Sequence, residues 1–236
     1  MQQPHPLLAQ LTRVLARSEP REPIALRLCL AFNEIVAADG GSITLGFSPP
    51  ERITLCATDD PAARVEDAQD VLREGPGLDA YTSGLPVSGL SLTQQRVRWP
   101  MLSDMLDERG SALSLHAFPL RPDTAVVGVV CVYQSDERGL AVASDDAQFL
   151  ANALGIALLG DLGSASVSDE RWAVRDKVDQ ATGMVVAQLK ITPADAIAVL
   201  RAHAFAHATT LAVVSEWILD RELDFSDFDS GDGAAP

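Results

Sequence analysis

An α+β domain followed by an all-α three-helix bundle is the fold class this sequence predicts, and three observations predict it. From residue 1 to about residue 163, helical and strand-like apolar patterns alternate. From Ser168 onward the apolar residues recur only at helical spacing. Between the two lies Gly160-Asp161-Leu162-Gly163-Ser164-Ala165-Ser166, a short run of small and turn-forming residues that marks a domain boundary.

In the first domain, Pro6 to Arg17 forms a helix with Leu7, Leu8, Leu11, Val14 and Leu15 on one face. Pro20 and Pro23 interrupt it, and Pro23 opens a second helix, Ile24 to Ala37, that Asp39-Gly40-Gly41 ends. Ser42 to Phe47 alternates as a strand does. Arg52 to Ala57 is its antiparallel partner across the Pro49-Pro50 turn. Pro61 to Leu72 is an amphipathic helix, and Glu74 to Val87 reads as a turn-rich connection. A short helix from Trp99-Pro100 to Arg109 leads to a strand, Ser111 to Pro119. The run Ala125 to Tyr133 is apolar throughout, as expected of a strand covered on both faces. Ser144 caps a last helix whose first turn holds Asp145 and Asp146, where carboxylates favour the positive end of the helix dipole.

The second domain, 168–228, opens with a helix started by Ser168, Asp169 and Glu170. Val174, Val178, Ala181 and Val185 are spaced 4-3-4 along it, the stripe of a helix pair, and predict a homodimer through this helix. Thr182-Gly183 places two weak helix formers mid-helix. Glycine there costs about 1 kcal/mol relative to alanine, so close approach by another helix, a backbone or a ligand is expected to offset it. Thr192 as N-cap, Pro193 at the first helical position and Asp195 at the reciprocal capping position start the next helix, which buries Ile197, Leu200, Ala204 and Phe205. Thr210 caps a third, which buries Leu211, Val214, Ile218 and Trp217. Residues 229–236 form an acidic, glycine-rich tail without apolar period, expected to be disordered.

The net charge is −15, which argues against non-specific binding of nucleic acid, and the only lysines are Lys177 and Lys190. Neither a membrane-spanning run nor a signal peptide is legible, so a cytoplasmic protein is expected. Cys29, Cys56 and Cys131 are odd in number and widely spaced, unlike a disulfide framework or a zinc site. His203 and His207 stand i, i+4 without a further ligand nearby, so no metal site is expected. Nor does any motif of nucleophilic or phosphate chemistry occur, so no catalytic residue is assigned and no cofactor is implied.

The phrase Gln180-Ala181-Thr182-Gly183-Met184, joined in order by Thr192-Pro193-Ala194-Asp195-Ala196, Leu200-Arg201 and Ala204, resembles the ANTAR domain. That is a small three-helix RNA-binding module of bacterial antitermination regulators, and the resemblance covers roughly the last quarter of the chain. The stretch Glu74 to Val87, together with the strands and helix downstream of it, resembles the GAF sensor fold as found attached to ANTAR domains, over residues 1–163. Together the resemblances imply an antiparallel sheet flanked by helices, then the bundle. They imply a transcription antitermination regulator that senses a signal, such as a small molecule in the GAF pocket, and binds dual-hairpin RNA as a homodimer, without enzymatic chemistry.

Hairpin loops expose unstacked bases to side-chain hydrogen bonds. The donors this chain offers are Arg175, Lys177, Gln180, Thr182, Gln188, Arg201 and His203, with Gly183 admitting close approach. The chain departs from the ANTAR pattern at Thr182, where lysine is common, and at Ala208-Thr209-Thr210, where asparagine and basic residues are common. Three other readings stand beside this one. The first is a GAF-based thiol enzyme of methionine sulfoxide reductase type, with Cys56 and Cys131 as nucleophile and resolving thiol and a helical dimerisation tail. The second is a degenerate ANTAR used only to dimerise. The third is a DNA-binding regulator, disfavoured by the acidic charge.

Overall fold

The pattern of alternating helices and strands folds, in a computed structural model, into two compact units, Met1–Ser166 and Val167–Pro236. The structure describes residues 6–48, 51–108, 113–162 and 169–225. The expected acidic tail lies outside the described residues.

Unit 1 runs α1 (Pro6–Arg17), α2 (Ile24–Val36), β1 (Gly40–Ser48), β2 (Glu51–Ala57), α3 (Asp60–Leu72), α4 (Pro76–Ser83), α5 (Leu92–Arg98), α6 (Pro100–Glu108), β3 (Ser114–Leu120), β4 (Gly128–Gln134) and α7 (Ser144–Leu162). The strands form one sheet in the order β2-β1-β4-β3, antiparallel throughout. Central β4 is buried at every position, because helices cover both faces of the sheet. On one face α1, α2 and α7 pack Leu28, Phe32 and Leu150 against Ile43, Phe118 and Val130. On the other, α3, α4 and α6 pack Val65, Ala80 and Leu102 against Leu115, Val129 and Tyr133. This is the helix-flanked antiparallel sheet that the sequence implies.

Two elements differ from expectation. The turn-rich phrase from Glu74 contains a helix, α4. Gly75 (φ 137°) and Gly84 (φ 67°) are its two ends, where left-handed backbone favours glycine, and Pro76 opens its first turn. Helix α5 is held by a capping box in which Ser91 and Gln94 exchange hydrogen bonds. Its apolar pattern is too weak to announce a helix, since Val97 is 81% exposed.

Within the apolar layer of α3, α4 and α6, a polar cluster lies between the sheet and α3. The Glu66 carboxylate, 4% exposed, accepts from Ser42 Oγ (2.9 Å), Thr44 Oγ1 (3.0 Å), Arg52 Nη2 (2.9 Å) and Gln69 Nε2 (3.1 Å). Beside it Ser42, Val65, Pro76, Leu115, Cys131 and Tyr133 line a cavity with room for about one water. The thiols do not form the pair an enzyme would need. Cys56 faces the α2 side of the sheet, in contact with Cys29, whereas Cys131 faces the α3–α4 side. The neighbouring Cys56 thiol and burial push Cys29 well up from its usual range, and burial does the same to Cys131. That disfavours a nucleophilic thiolate.

His116 of β3 is 2% exposed, with Nδ1 3.0 Å from Ser88 Oγ, and burial lowers its pKa from 6.5 to about 4. The folded state therefore disfavours the imidazolium that the unfolded chain forms freely. The resulting stability is complete above the unfolded pKa of 6.5 and is lost as pH falls towards 4. Denaturant titrations at pH 7 and pH 5 should show a loss of about 2 kcal/mol from this group. His116→Gln should remove that part of the difference, and an unchanged slope in the variant would refute the assignment.

Unit 2 consists of α8 (Asp169–Leu189), α9 (Pro193–Ala206) and α10 (Leu211–Leu219). Thr192 Oγ1 accepts from Asp195 N–H and donates to the Asp195 carboxylate, and Thr210 Oγ1 accepts from Val213 N–H. Both caps stand where the sequence sets them. The three helices pack on one another, and their buried apolar residues, among the described side chains, are Val178, Ala181 and Val185 of α8, Ala196, Leu200 and Ala204 of α9, and Leu211, Val214 and Ile218 of α10. The α8 stripe expected to face a second copy is thus filled from within the chain, with Ala181 and Val185 wholly buried. A period-seven stripe requires a partner helix but does not say whose. The side chain of Val174 lies outside the described residues.

Candidate nucleic-acid interface

Burial of one stripe of α8 leaves Asp176, Asp179, Gln180, Gly183 and Ala187 on its open side. Gly183 is exposed, and a Cβ built on it meets nothing within 4 Å. Among the described residues, no helix makes the close approach that a mid-helix glycine is expected to serve. Its cost of about 1 kcal/mol is not offset by a contact from any described residue. Gln180 stands one turn away on the same open side.

Several of the expected RNA-contacting donors are engaged inside the unit. Lys177 Nζ donates to Glu216 Oε1 at 2.7 Å, and that carboxylate holds the ammonium above its usual pKa. Thr182 Oγ1 donates to the Val178 carbonyl at 2.7 Å, one turn back along α8. Gln188 is half-buried, and its Oε1 accepts from Phe225 N–H at 3.2 Å, pinning the chain beyond α10. His203 is half-buried between the stacked ring of His207 (6.1 Å) and the edge of Phe225 (4.9 Å). Burial, and then the neighbouring His207, lower its pKa, which disfavours the cationic form. His207 in turn meets Trp217 edge-on at 5.5 Å. Arg201 is half-buried, and the side chain of Arg175 lies outside the described residues. Among the expected contacts whose side chains are described, Gln180 and Gly183 are the exposed ones.

Of the residues expected to be buried in this unit, Ile197 and Trp217 are half-buried and one is turned outward. Phe205, expected in the buried stripe, is 51% exposed. Apolar residues occupy most of the circumference of α9, so periodicity does not choose its inner side. Ala196, Leu200 and Ala204 take that side, which turns Phe205 out with Ala198 and Ala202.

No single helix among the described residues is long and apolar enough to cross a membrane. No curated protein matches the chain. Among solved structures, a chain described as SdiA in complex with octanoyl-rac-glycerol is 13% identical, with a TM-score of 0.46 over 91% of this chain and 95% of that one. The Stigmatella aurantiaca phytochrome photosensory core module, wild type, is also 13% identical, with a TM-score of 0.39 over 83% of this chain and 45% of that one. The chain therefore spans less than half of that phytochrome module, and likenesses this loose carry no functional argument. The family model for the ANTAR domain, by contrast, matches residues 169–219, from the first residue of α8 to the last of α10. From α8 to α10, then, this chain carries an ANTAR domain.

Proposed function

We propose that this chain is a transcription antitermination regulator whose ANTAR domain binds paired RNA stem-loops and whose unit 1 is a GAF-type sensor. The ANTAR match over α8, α9 and α10 carries the reading. Gly183 supports it: an exposed glycine with open space above it suits the approach of something outside the chain, an RNA backbone or base. Dual-hairpin RNA favours a protein with two binding modules, since the second contact is then made at high effective concentration. A homodimer would supply them through a surface other than the α8 stripe. In unit 1, the cavity beside Ser42 and Cys131 is the place for a small ligand to enter, and anything larger than water requires α3 or α4 to move.

The test is crosslinking of the full chain to cellular RNA, sequencing what is bound, with Arg201→Ala in parallel. Enrichment of paired short hairpins, lost in the variant, supports the reading. Absence of enrichment in the wild type refutes it and leaves a helical module that does not act on RNA. Gly183→Ala gives a second expected result. Because the added methyl meets no atom of the described residues, the substitution should leave folding intact or raise stability by up to about 1 kcal/mol. RNA affinity should fall at the same time, about tenfold or more if the RNA closes on this position. Thermal melting and a binding titration check the two signs, and a stabilised variant with wild-type affinity would move the contact off α8.

A further inference from the structure

Phe205 has no role inside the unit that accounts for half of its surface being open. A single exposed apolar side chain is ordinary in any protein. What sets this one apart is its surroundings. Ala194, Ala198, Ala202 and Ala206 are all exposed on α9, so on that flank of the helix only methyl groups stand beside the ring. Arg201 lies one turn before Phe205 on the same side, by the i, i+4 spacing of the helix.

Charge narrows the choice further. The chain carries a net −15, yet no carboxylate occurs from Ala196 through Ser215. Acids stand instead on the open side of α8 at Asp176 and Asp179, and after α10 at Asp220, Glu222 and Asp224. Phosphates are repelled from those places, and α9 is the helix of this domain whose open face meets them without a carboxylate beyond Asp195. Asp195 is engaged at the N-cap by Thr192. With so few cations available, counter-ion release contributes little, and affinity has to come from contacts that carry no charge. Stacking of an unpaired base on an aromatic ring is such a contact.

Resting on the RNA reading above, we infer that Phe205 is a stacking platform for an unpaired base of an RNA loop, on the carboxylate-free face of α9. The exposed alanines leave room for a base to lie against the ring, and Arg201 adds a positive charge one turn away.

The experiment uses the full chain and a pool of paired RNA hairpins with randomised loops, with the same stems closed as continuous duplex for comparison. The wild type should select loops over duplex. Phe205→Ala should lose about 5- to 150-fold in affinity for the selected RNA, the span of ~1–3 kcal/mol that one stacked base contributes. Phe205→Tyr should retain binding, and Phe205→Leu, apolar but without a ring face, should not. The logarithm of the binding constant should fall with the logarithm of salt at a slope no steeper than about −2, since only one or two phosphates are neutralised. Failure of the wild type to select any loop refutes the RNA reading itself. Selection by the wild type with Phe205→Ala within twofold of it overturns this inference alone, as does a salt slope of about −5. A shift of Phe205→Ala towards monomer in sedimentation, with RNA affinity falling only in step with it, would assign the ring to contact between copies. Thermal melting of each variant checks that the exposed substitution leaves the fold intact.

Discussion

Glu66→Ala should cost unit 1 about 3–5 kcal/mol, the range seen when one partner of a buried ion pair is removed. The reason is the asymmetry between making and breaking a buried polar contact. In the folded protein the carboxylate satisfies two hydroxyls, an amide and a guanidinium, all between the sheet and α3. Truncation leaves Arg52, whose side chain is 7% exposed, as a buried cation with no counter-charge. Among the described residues its Nη1 already lacks a hydrogen-bond partner. Thr44 retains Thr54 at 3.1 Å, so the hydroxyls suffer less than the guanidinium. Replacing both ions, Glu66→Leu with Arg52→Met, should therefore recover a large part of the loss, because no buried charge is left alone. Denaturant titration of the two single variants and the double variant measures the coupling directly. A loss under 1 kcal/mol for Glu66→Ala would show that water reaches Arg52 freely and that the hub is not a closed core. It would also favour unit 1 as the part of the chain that opens to a ligand.

How much of the fold and site is legible in the sequence depends on whether the information is local. The caps at Thr192 and Thr210 and the helices α2, α3, α7 and α9 are written within a few residues, so the sequence predicts them closely. Helix α4 is hidden because glycine and proline mark both turns and helix ends, and the eight residues between Gly75 and Gly84 are too few for a period to emerge. Glu66 is hidden for the opposite reason. On an amphipathic helix a glutamate is placed outside by default, and the Ser42, Thr44 and Arg52 that bury it come from strands 14 to 24 residues away. The candidate interface shows the same limit. Lys177 and Gln188 read as free donors, but their partners Glu216 and Phe225 stand 39 and 37 residues on. Gly183 can be singled out from sequence as an unexplained weak point, whereas only the structure leaves it without a neighbour. Phe205 needs the structure too, because α9 is apolar almost all round.

Val185→Asp should unfold the ANTAR domain, because Val185 is wholly buried among α8, α9 and α10. A lone carboxylate there costs several kcal/mol unless it is protonated. A domain of about sixty residues is held by only roughly 3–9 kcal/mol, so the substitution removes most or all of its margin. Circular dichroism should lose the helical signal of α8 to α10, and RNA binding should go with it. The unfolding of unit 1, tracked through the acid sensitivity that His116 confers, should be unchanged, since Val185 belongs to a separate core. Val185→Ala is the milder control, a cavity without a charge, expected to leave the domain folded at reduced stability. The contrast decides what the 4-3-4 stripe does. A stripe that joins two copies would tolerate an aspartate as a folded, fully helical monomer, separated in sedimentation but intact. A stripe that forms the core of one chain leaves no folded product at all, and the burial of Val178, Ala181 and Val185 makes that the expected result.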